Sequence, residues 1–190
     1  GTVNLNTNAG SSSAPNLTLN VSGGTVNFGA DQHLAKVVSS VSGGVNLAGY
    51  AARIYDLADE AALNGMVNLA NTGAIKDSTI GSNPWQIGIT NQATDDLSNP
   101  IILVKVTRKG DANLDGTTNF TDLLRLSQNY NQSGKLFDEA DFTYDGTVNF
   151  NDLLILSQNY NQSYPAPAAP VPEPGVLGVL AIGAMGLLAR

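Results

Sequence analysis

Residues 111–122 read DANLDGTTNFTD and run into LLRLSQNYNQ; thirty residues later DFTYDGTVNFND runs into LLILSQNYNQ. Between 110–132 and 140–162, 16 of 23 positions are identical, so one loop-and-helix unit is written twice. This constrains the fold more than any other feature. Both copies must take the same local structure, and two short amphipathic helices can each cover the other's apolar side. Phe120, Leu123, Leu124, Ser127 and Tyr130 repeat as Phe150, Leu153, Leu154, Ser157 and Tyr160 at helical spacing. The spacing predicts one apolar stripe per helix, with the two stripes buried against one another.

Ahead of each helix the loop places oxygen-bearing side chains at alternate positions around a glycine. Calcium takes roughly six to eight oxygen ligands, and a loop of EF-hand type supplies them from positions 1, 3, 5, 7, 9 and 12, with Gly at 6 for the sharp turn. In the first copy these are Asp111, Asn113, Asp115, the carbonyl of Thr117, Asn119 and Asp122, with Gly116 at position 6. In the second they are Asp141, Thr143, Asp145, the carbonyl of Thr147, Asn149 and Asp152, around Gly146. Two calcium ions are expected. The second site should be the weaker, because the Thr143 hydroxyl is a poorer ligand than the Asn113 amide oxygen.

Charge supports a cation as the partner. Residues 110–163 hold eight acidic side chains against Arg125 and Lys135, so this block carries most of the formal net charge of −7. Nothing here neutralises phosphates, and nucleic acid is not an expected partner. The chain has no cysteine and one histidine, which excludes disulfide scaffolds, thiol chemistry and zinc sites of the usual kinds. His33, in FGADQHLAKV, is read as structural. The acids outside the loops form no recognisable acid–base pair, and no G-x-S-x-G nucleophile motif occurs, so the chain is expected not to be an enzyme. A catalytic domain upstream of Gly1 stays open, since the sequence reads as a fragment.

The paired motif D-x-N-x-D-G-x-x-N-x-x-D followed by Leu-Leu, with Thr143 its one departure, is similar to a type I dockerin module. The resemblance implies a small all-α pair of EF-hand-like loop–helix units that bind calcium. In cellulosomal members, loop positions 10 and 11, often a hydroxyl pair, and the helix meet a cohesin. Here these positions hold Phe120 and Thr121, then Phe150 and Asn151. Phe departs from that pattern and is expected to pack inward. The first reading is therefore a calcium-locked module of a bacterial surface or secreted protein, a spacer beside the envelope. The alternative is a true dockerin subunit that meets a cohesin in a polysaccharide-degrading complex.

Residues 1–109 form a β-rich region. The pattern G-x-V-N recurs at Gly1, Gly24, Gly44 (one residue shorter) and Gly65, and LTLNVS and TVNFG alternate apolar and polar residues between Gly-Gly pairs. Short repeats that bury a face only against their neighbours predict a β-solenoid, with a β-sandwich as the alternative. Residues 51–65, with Ile54, Leu57, Ala58, Ala61 and Ala62 at helical spacing and Gly65 as the stop, read as an inserted helix or an irregular repeat, and 99–109 as a closing strand. GTVNFGADQHLAKVVSSVSGG, 24–44, resembles the end of autotransporter-like β-repeat surface proteins. The partner expected of the chain is a cohesin-like protein or a cell-envelope polysaccharide.

The chain closes with a Pro/Ala linker, 164–174, and an apolar helix, 175–190. Its fifteen uncharged residues would cover roughly 22 Å, short of a typical bilayer core. Pro172, Glu173 and Pro174, then the apolar run, then Arg190 resemble a PEP-CTERM sorting signal. That resemblance implies processing by an exosortase-type enzyme, a first anchor in the inner membrane, and a final place at the cell envelope or outside the cell. The whole reads as a mixed multi-domain chain: an all-β, solenoid-like N-terminal region, an EF-hand-like helix pair and a single C-terminal hydrophobic helix.

Overall fold

A computed structural model describes residues 1–39, 43–55, 63, 67–68, 70–79 and 85–163. From the N-terminus the chain steps alternately between two sheets. The first holds β1 (Thr2–Leu5), β3 (Gly24–Phe28), β5 (Gly43–Asn46) and β7 (Ile75–Lys76), all parallel. The second holds β2 (Leu17–Val21), β4 (Gln32–Ser39) and β6 (Ala52–Ile54), also parallel. It is extended by an antiparallel pair, β9 (Pro100–Arg108) against β6 and then β8 (Trp85–Thr94).

The G-x-V-N pattern sets the register of the first sheet. Val3 faces Val26, Val45 and then Ile75, while Asn4, Asn27 and Asn46 lie side by side one residue on. Because side chains alternate along a strand, every valine falls on one face and every asparagine on the other. Val26 and Val45 are buried with Leu19, Val21, Phe28, Leu34, Leu47, Ile54, Ile75 and Val104 in the core between the sheets. The asparagines form a ladder. Asn27 Nδ2 donates to Asn4 Oδ1 at 2.8 Å, and Asn46 Nδ2 donates to Asn27 Oδ1 at 3.1 Å and to Ser78 Oγ at 2.9 Å.

Three expectations change here. The third repeat starts at Gly43 rather than Gly44, since Gly24 pairs with Gly43; a Cβ at Gly43 would lie 2.5 Å from the Val21 backbone. The repeat placed at Gly65 is not a strand: Val67 and Asn68 are helical, and Ile75–Lys76 takes the place beside β5. Ile54, read as part of an inserted helix or an irregular repeat, ends strand β6, where buried and half-buried residues alternate, so the helix alternative does not hold there. The rest of that helix reading falls mostly outside the described residues, at 56–62 and 64–66, as does the whole tail, 164–190, including Pro172, Glu173, Pro174 and Arg190. Among the described residues no helix is long and apolar enough to cross a membrane.

The duplicate follows β9 directly. It comprises β10 (Thr117–Thr118), α1 (Phe120–Asn129), a single 3₁₀ turn (Phe137–Glu139), α2 (Phe150–Asn159) and β11 (Gln162–Ser163). The chain leaving each helix pairs with the loop of the other copy. Asn131 N–H donates to the Val148 carbonyl at 2.8 Å, and Asn161 N–H to the Thr118 carbonyl at 2.7 Å. Ala112, Leu114, Leu126, Phe137, Ala140, Phe142, Val148 and Leu156 make a second core below this cross-pairing. The stripe expected to be buried is split. Leu126 and Leu156 go inside with part of Leu123 and Leu153, whereas Phe120, Leu124, Phe150 and Leu154 face outward. The helices turn their Leu123–Leu126 and Leu153–Leu156 sides to the core because the cross-paired loops fix the entry of each.

Candidate calcium-binding site

Each loop is built around two buried carboxylates that collect backbone N–H groups. Asp111 Oδ1 accepts from Asp115 N–H at 3.2 Å and Oδ2 from Gly116 N–H at 2.8 Å; Asp141 does the same with Asp145 and Gly146 at 3.2 and 2.8 Å. Asp122 accepts from Ala112, Asn113 and Asn119 at 2.9, 3.3 and 2.8 Å. Asp152 repeats this with Phe142, Thr143 and Asn149 at 2.9, 3.0 and 2.9 Å. Gly116 and Gly146 have φ of 91° and 81°, a conformation that a side chain would strain. Asp122 and Asp152 also complete the capping boxes of α1 and α2 by accepting from the N–H of the N-caps Asn119 and Asn149.

The remaining expected ligands lie in the same loops. Asp115 Oδ1 accepts from Thr117 N–H and Asp145 Oδ1 from Thr147 N–H, both at 2.8 Å. Asn113 Nδ2 donates to Asp115 Oδ2 at 2.8 Å, while its Oδ1 accepts from Asp115 N–H at 3.1 Å. Thr143 instead donates its hydroxyl to Asp141 and Asp152, both at 3.2 Å. Asn119 and Asn149 are the helix N-caps, each accepting from the N–H two residues on, at 2.7 and 2.8 Å. Their Nδ2 groups donate to the carbonyls of Thr117 and Thr147, so these two asparagines would meet a cation only by sharing their cap oxygen.

Among the described residues no three Asp, Glu, His or Cys side chains converge as they would around a bound metal. The donor chemistry nevertheless fits a hard cation: oxygen only, with carboxylates at positions 1, 5 and 12 of both loops. Their electrostatics fit it as well. Burial pushes the Asp122 carboxyl up to about 6, against several backbone hydrogen bonds, with the Asp111 charge adding to the rise. Burial also raises Asp111, with Asp115 adding and Lys105 opposing, and raises Asp141, with Asp152 and Asp145 adding. A cation between these groups would remove the repulsion and favour their ionised form.

The cleft around His33, about 580 Å³, is lined also by Asn8, Ser12, Asp31, Arg53 and Asp96. Ser12 donates its hydroxyl to Asp96, and His33 is held between Asn8, at 2.6 Å, and Ser12, at 3.4 Å.

A pair of acidic, glycine-centred loops, each capping a short helix and cross-paired with its twin, defines a calcium loop–helix module. Residues 109–161 match the dockerin type I domain family, whose members bind calcium. The segment is thus similar to a dockerin type I domain, and the match leaves the rest of the chain outside it. Among solved structures, a type II cohesin–dockerin domain from Bacteroides cellolosolvens is similar at 34% identity, over 30% of this chain and 92% of that chain, with a TM-score of 0.28. No curated protein matches the chain.

The exposed residues at loop position 10 correct the sequence reading. Phe120 and Phe150 are 65% and 63% exposed, and Leu124 and Leu154 stand beside them at 45% and 44%. Periodicity assigned them to the core because an apolar stripe reads the same whether it meets its own chain or another protein. The missed signal was the surplus: ten-residue helices need only one or two leucines each to close so small a core.

Proposed function

We propose that residues 109–161 form a calcium-dependent docking module that binds a cohesin-type receptor. The observation that carries this reading is the repeated outward pair, Phe120 with Leu124 and Phe150 with Leu154. Large exposed apolar side chains at equivalent places on two helices cost solubility and add nothing to the module's own core, as expected of a surface that a partner covers. The match of 109–161 to the dockerin type I family supports the same choice. This replaces the calcium-locked spacer as the first reading.

Two calcium ions would be held, one by Asp111, Asn113, Asp115, Asp122 and the Thr117 carbonyl, the other by Asp141, Thr143, Asp145, Asp152 and the Thr147 carbonyl, with Asn119 and Asn149 at the rim. When bound, calcium neutralises the loop carboxylates. The protein's own part is to hold the helix N-termini and present the two apolar faces. Calorimetry of the chain with candidate cohesins, in calcium and in chelator, tests this. Because the faces are duplicated, Phe120→Ser or Phe150→Ser alone should weaken binding modestly and the double variant should abolish it. Failure of every cohesin to bind, or survival of binding in the double variant, would remove the proposal.

The β-region would act as the part that is displayed, built as a solenoid of G-x-V-N repeats, without chemistry of its own. On the residue pattern of 164–190 we also propose export and sorting by an exosortase-type enzyme, with Pro172, Glu173 and Pro174 as the processing motif and Arg190 as the basic stop. Replacing Glu173 should leave unprocessed chain in the membrane fraction; unchanged processing would discard this part.

A further inference from the structure

The two position-4 residues of the loops, Leu114 and Tyr144, take no part in metal ligation or in the outward faces. Both have left-handed backbones, φ 58° and 57°, which a bulky residue adopts only at a cost. That conformation turns both side chains out of their loops toward the same sheet. Leu114 is 5% exposed and lies over Gly88 of β8; a Cβ at Gly88 would sit 2.3 Å from Leu114 Cδ2 and 3.0 Å from Phe137. Tyr144 donates its hydroxyl to the Ile87 carbonyl at 2.7 Å and stacks on Phe137 at 5.5 Å between ring centres.

Polar contacts surround these two plugs. Thr107 of β9 donates to the Asp111 carboxylate, Lys105 Nζ donates to the Leu114 carbonyl at 2.9 Å, and Thr90 of β8 donates to Asp138 at 2.8 Å. Asn71 Nδ2 donates to the Tyr144 carbonyl at 2.9 Å. At the far edge Arg108 lies over Trp85, 5.2 Å from the ring centre, and its guanidinium donates to Gln162 at 3.3 Å. Leu103 and Tyr144 belong to the seam where the two cores meet.

We infer that Leu114 and Tyr144 are positioning residues that couple the loops to the β8–β9 pair, so that calcium occupancy sets the stability of the outer strands of the β-region. Position 4 lies between ligand positions 3 and 5, so its left-handed turn and the ligand geometry form together. Loss of the cation frees the carboxylates to repel, relaxes the turn and withdraws the plug from over Gly88. The inference rests on the calcium reading of the loops.

The test uses the full chain. Calorimetry measures calcium binding, while hydrogen exchange follows the amides of 85–94 and 101–108, and Trp85 fluorescence follows the edge. In the wild type, chelation should lower protection of these strands on the order of tenfold or more. In Leu114→Ala/Tyr144→Ala, calcium should still bind with the same stoichiometry while protection of 85–94 no longer responds to it. Should that variant fail to fold, Tyr144→Phe, which deletes only the bond to Ile87, should reduce the response several-fold. Calcium binding without any change at 85–94 in the wild type would overturn the coupling alone, as would a full response in the variants. Absence of calcium binding would overturn the calcium reading and the coupling with it.

Discussion

The first and second loop–helix copies share their buried position-12 carboxylates, their asparagine caps and their left-handed fourth positions, yet they meet the β-region differently. The first is tied to β9 through Thr107 and Lys105, the second to β8 through Tyr144. The helices diverge at one core-side position. Arg125 in α1 donates to the Asp138 carbonyl at 2.7 Å, where α2 has the apolar Ile155. Identity is thus retained where the loop must close and cap a helix. Differences include Leu114 against Tyr144 and Arg125 against Ile155, which meet different neighbours, and Asn113 against Thr143 among the expected ligands.

The sharpest way to break this equivalence is to remove the position-12 carboxylates. Asp122→Ala and Asp152→Ala each leave three backbone N–H groups without an acceptor, and each should cost about 3 kcal/mol in urea unfolding with calcium present. If one variant kept the wild-type midpoint, the copies would not be structural equals. Ligand chemistry should separate them next. Asp111→Ala should lower first-site affinity by roughly two orders of magnitude, whereas Thr143→Ala should alter the second only a few-fold, and Thr143→Asn should bring the two sites together. Equal losses in calorimetry would refute the ligand assignment.

Acid should divide the loops from the β-region. The Asp122 carboxyl sits at about 6 when folded, against an ordinary 3.8, so the folded chain binds this proton more tightly than the unfolded chain. Without calcium, its contribution should therefore turn more favourable as the pH falls from about 6 to about 4, and level off below. Asp31 runs the other way. Burial opposes its charge, but hydrogen bonds from Arg53 and Ala51 hold its carboxyl below the usual value, so its contribution is lost at low pH. Unfolding of Asp122→Asn and Asp31→Asn across this range, in chelator, checks both signs.

Smaller effects follow at the divergent positions. Arg125→Met should cost about 1 kcal/mol through the lost bond to Asp138, and Ile155→Met less than about 1.5 kcal/mol. Phe120→Ser and Phe150→Ser should move stability by no more than about 0.5 kcal/mol, because these rings are exposed. A large loss there would mean that the rings support the module itself instead of a partner.

The loops were legible in the sequence because every constraint on them is local: a cap, a glycine turn and alternate oxygens within twelve residues. The first sheet was legible for a related reason, since Val26 and Val45 repeat at nearly one period. The fourth repeat at Gly65 misled because Gly, Val and Asn occur as readily where a helix runs, and the true partner of β5, Ile75–Lys76, carries no repeat signal. Strand β8 was missed entirely, its alternation broken by the irregularity between Thr90 and Ala93. The seam at Leu114 and Tyr144 was invisible for another reason: an apolar residue inside an acidic loop has no periodicity to say which surface it seeks.

The asparagine ladder has a further meaning for how such a chain changes over generations. Asn27 donates to Asn4 on one side and accepts from Asn46 on the other, so the middle G-x-V-N cassette makes the same kind of contact above and below. A unit of roughly twenty residues added by duplication would keep this ladder contact. Length becomes a heritable variable of its own, while the loop–helix module at the far end is left untouched.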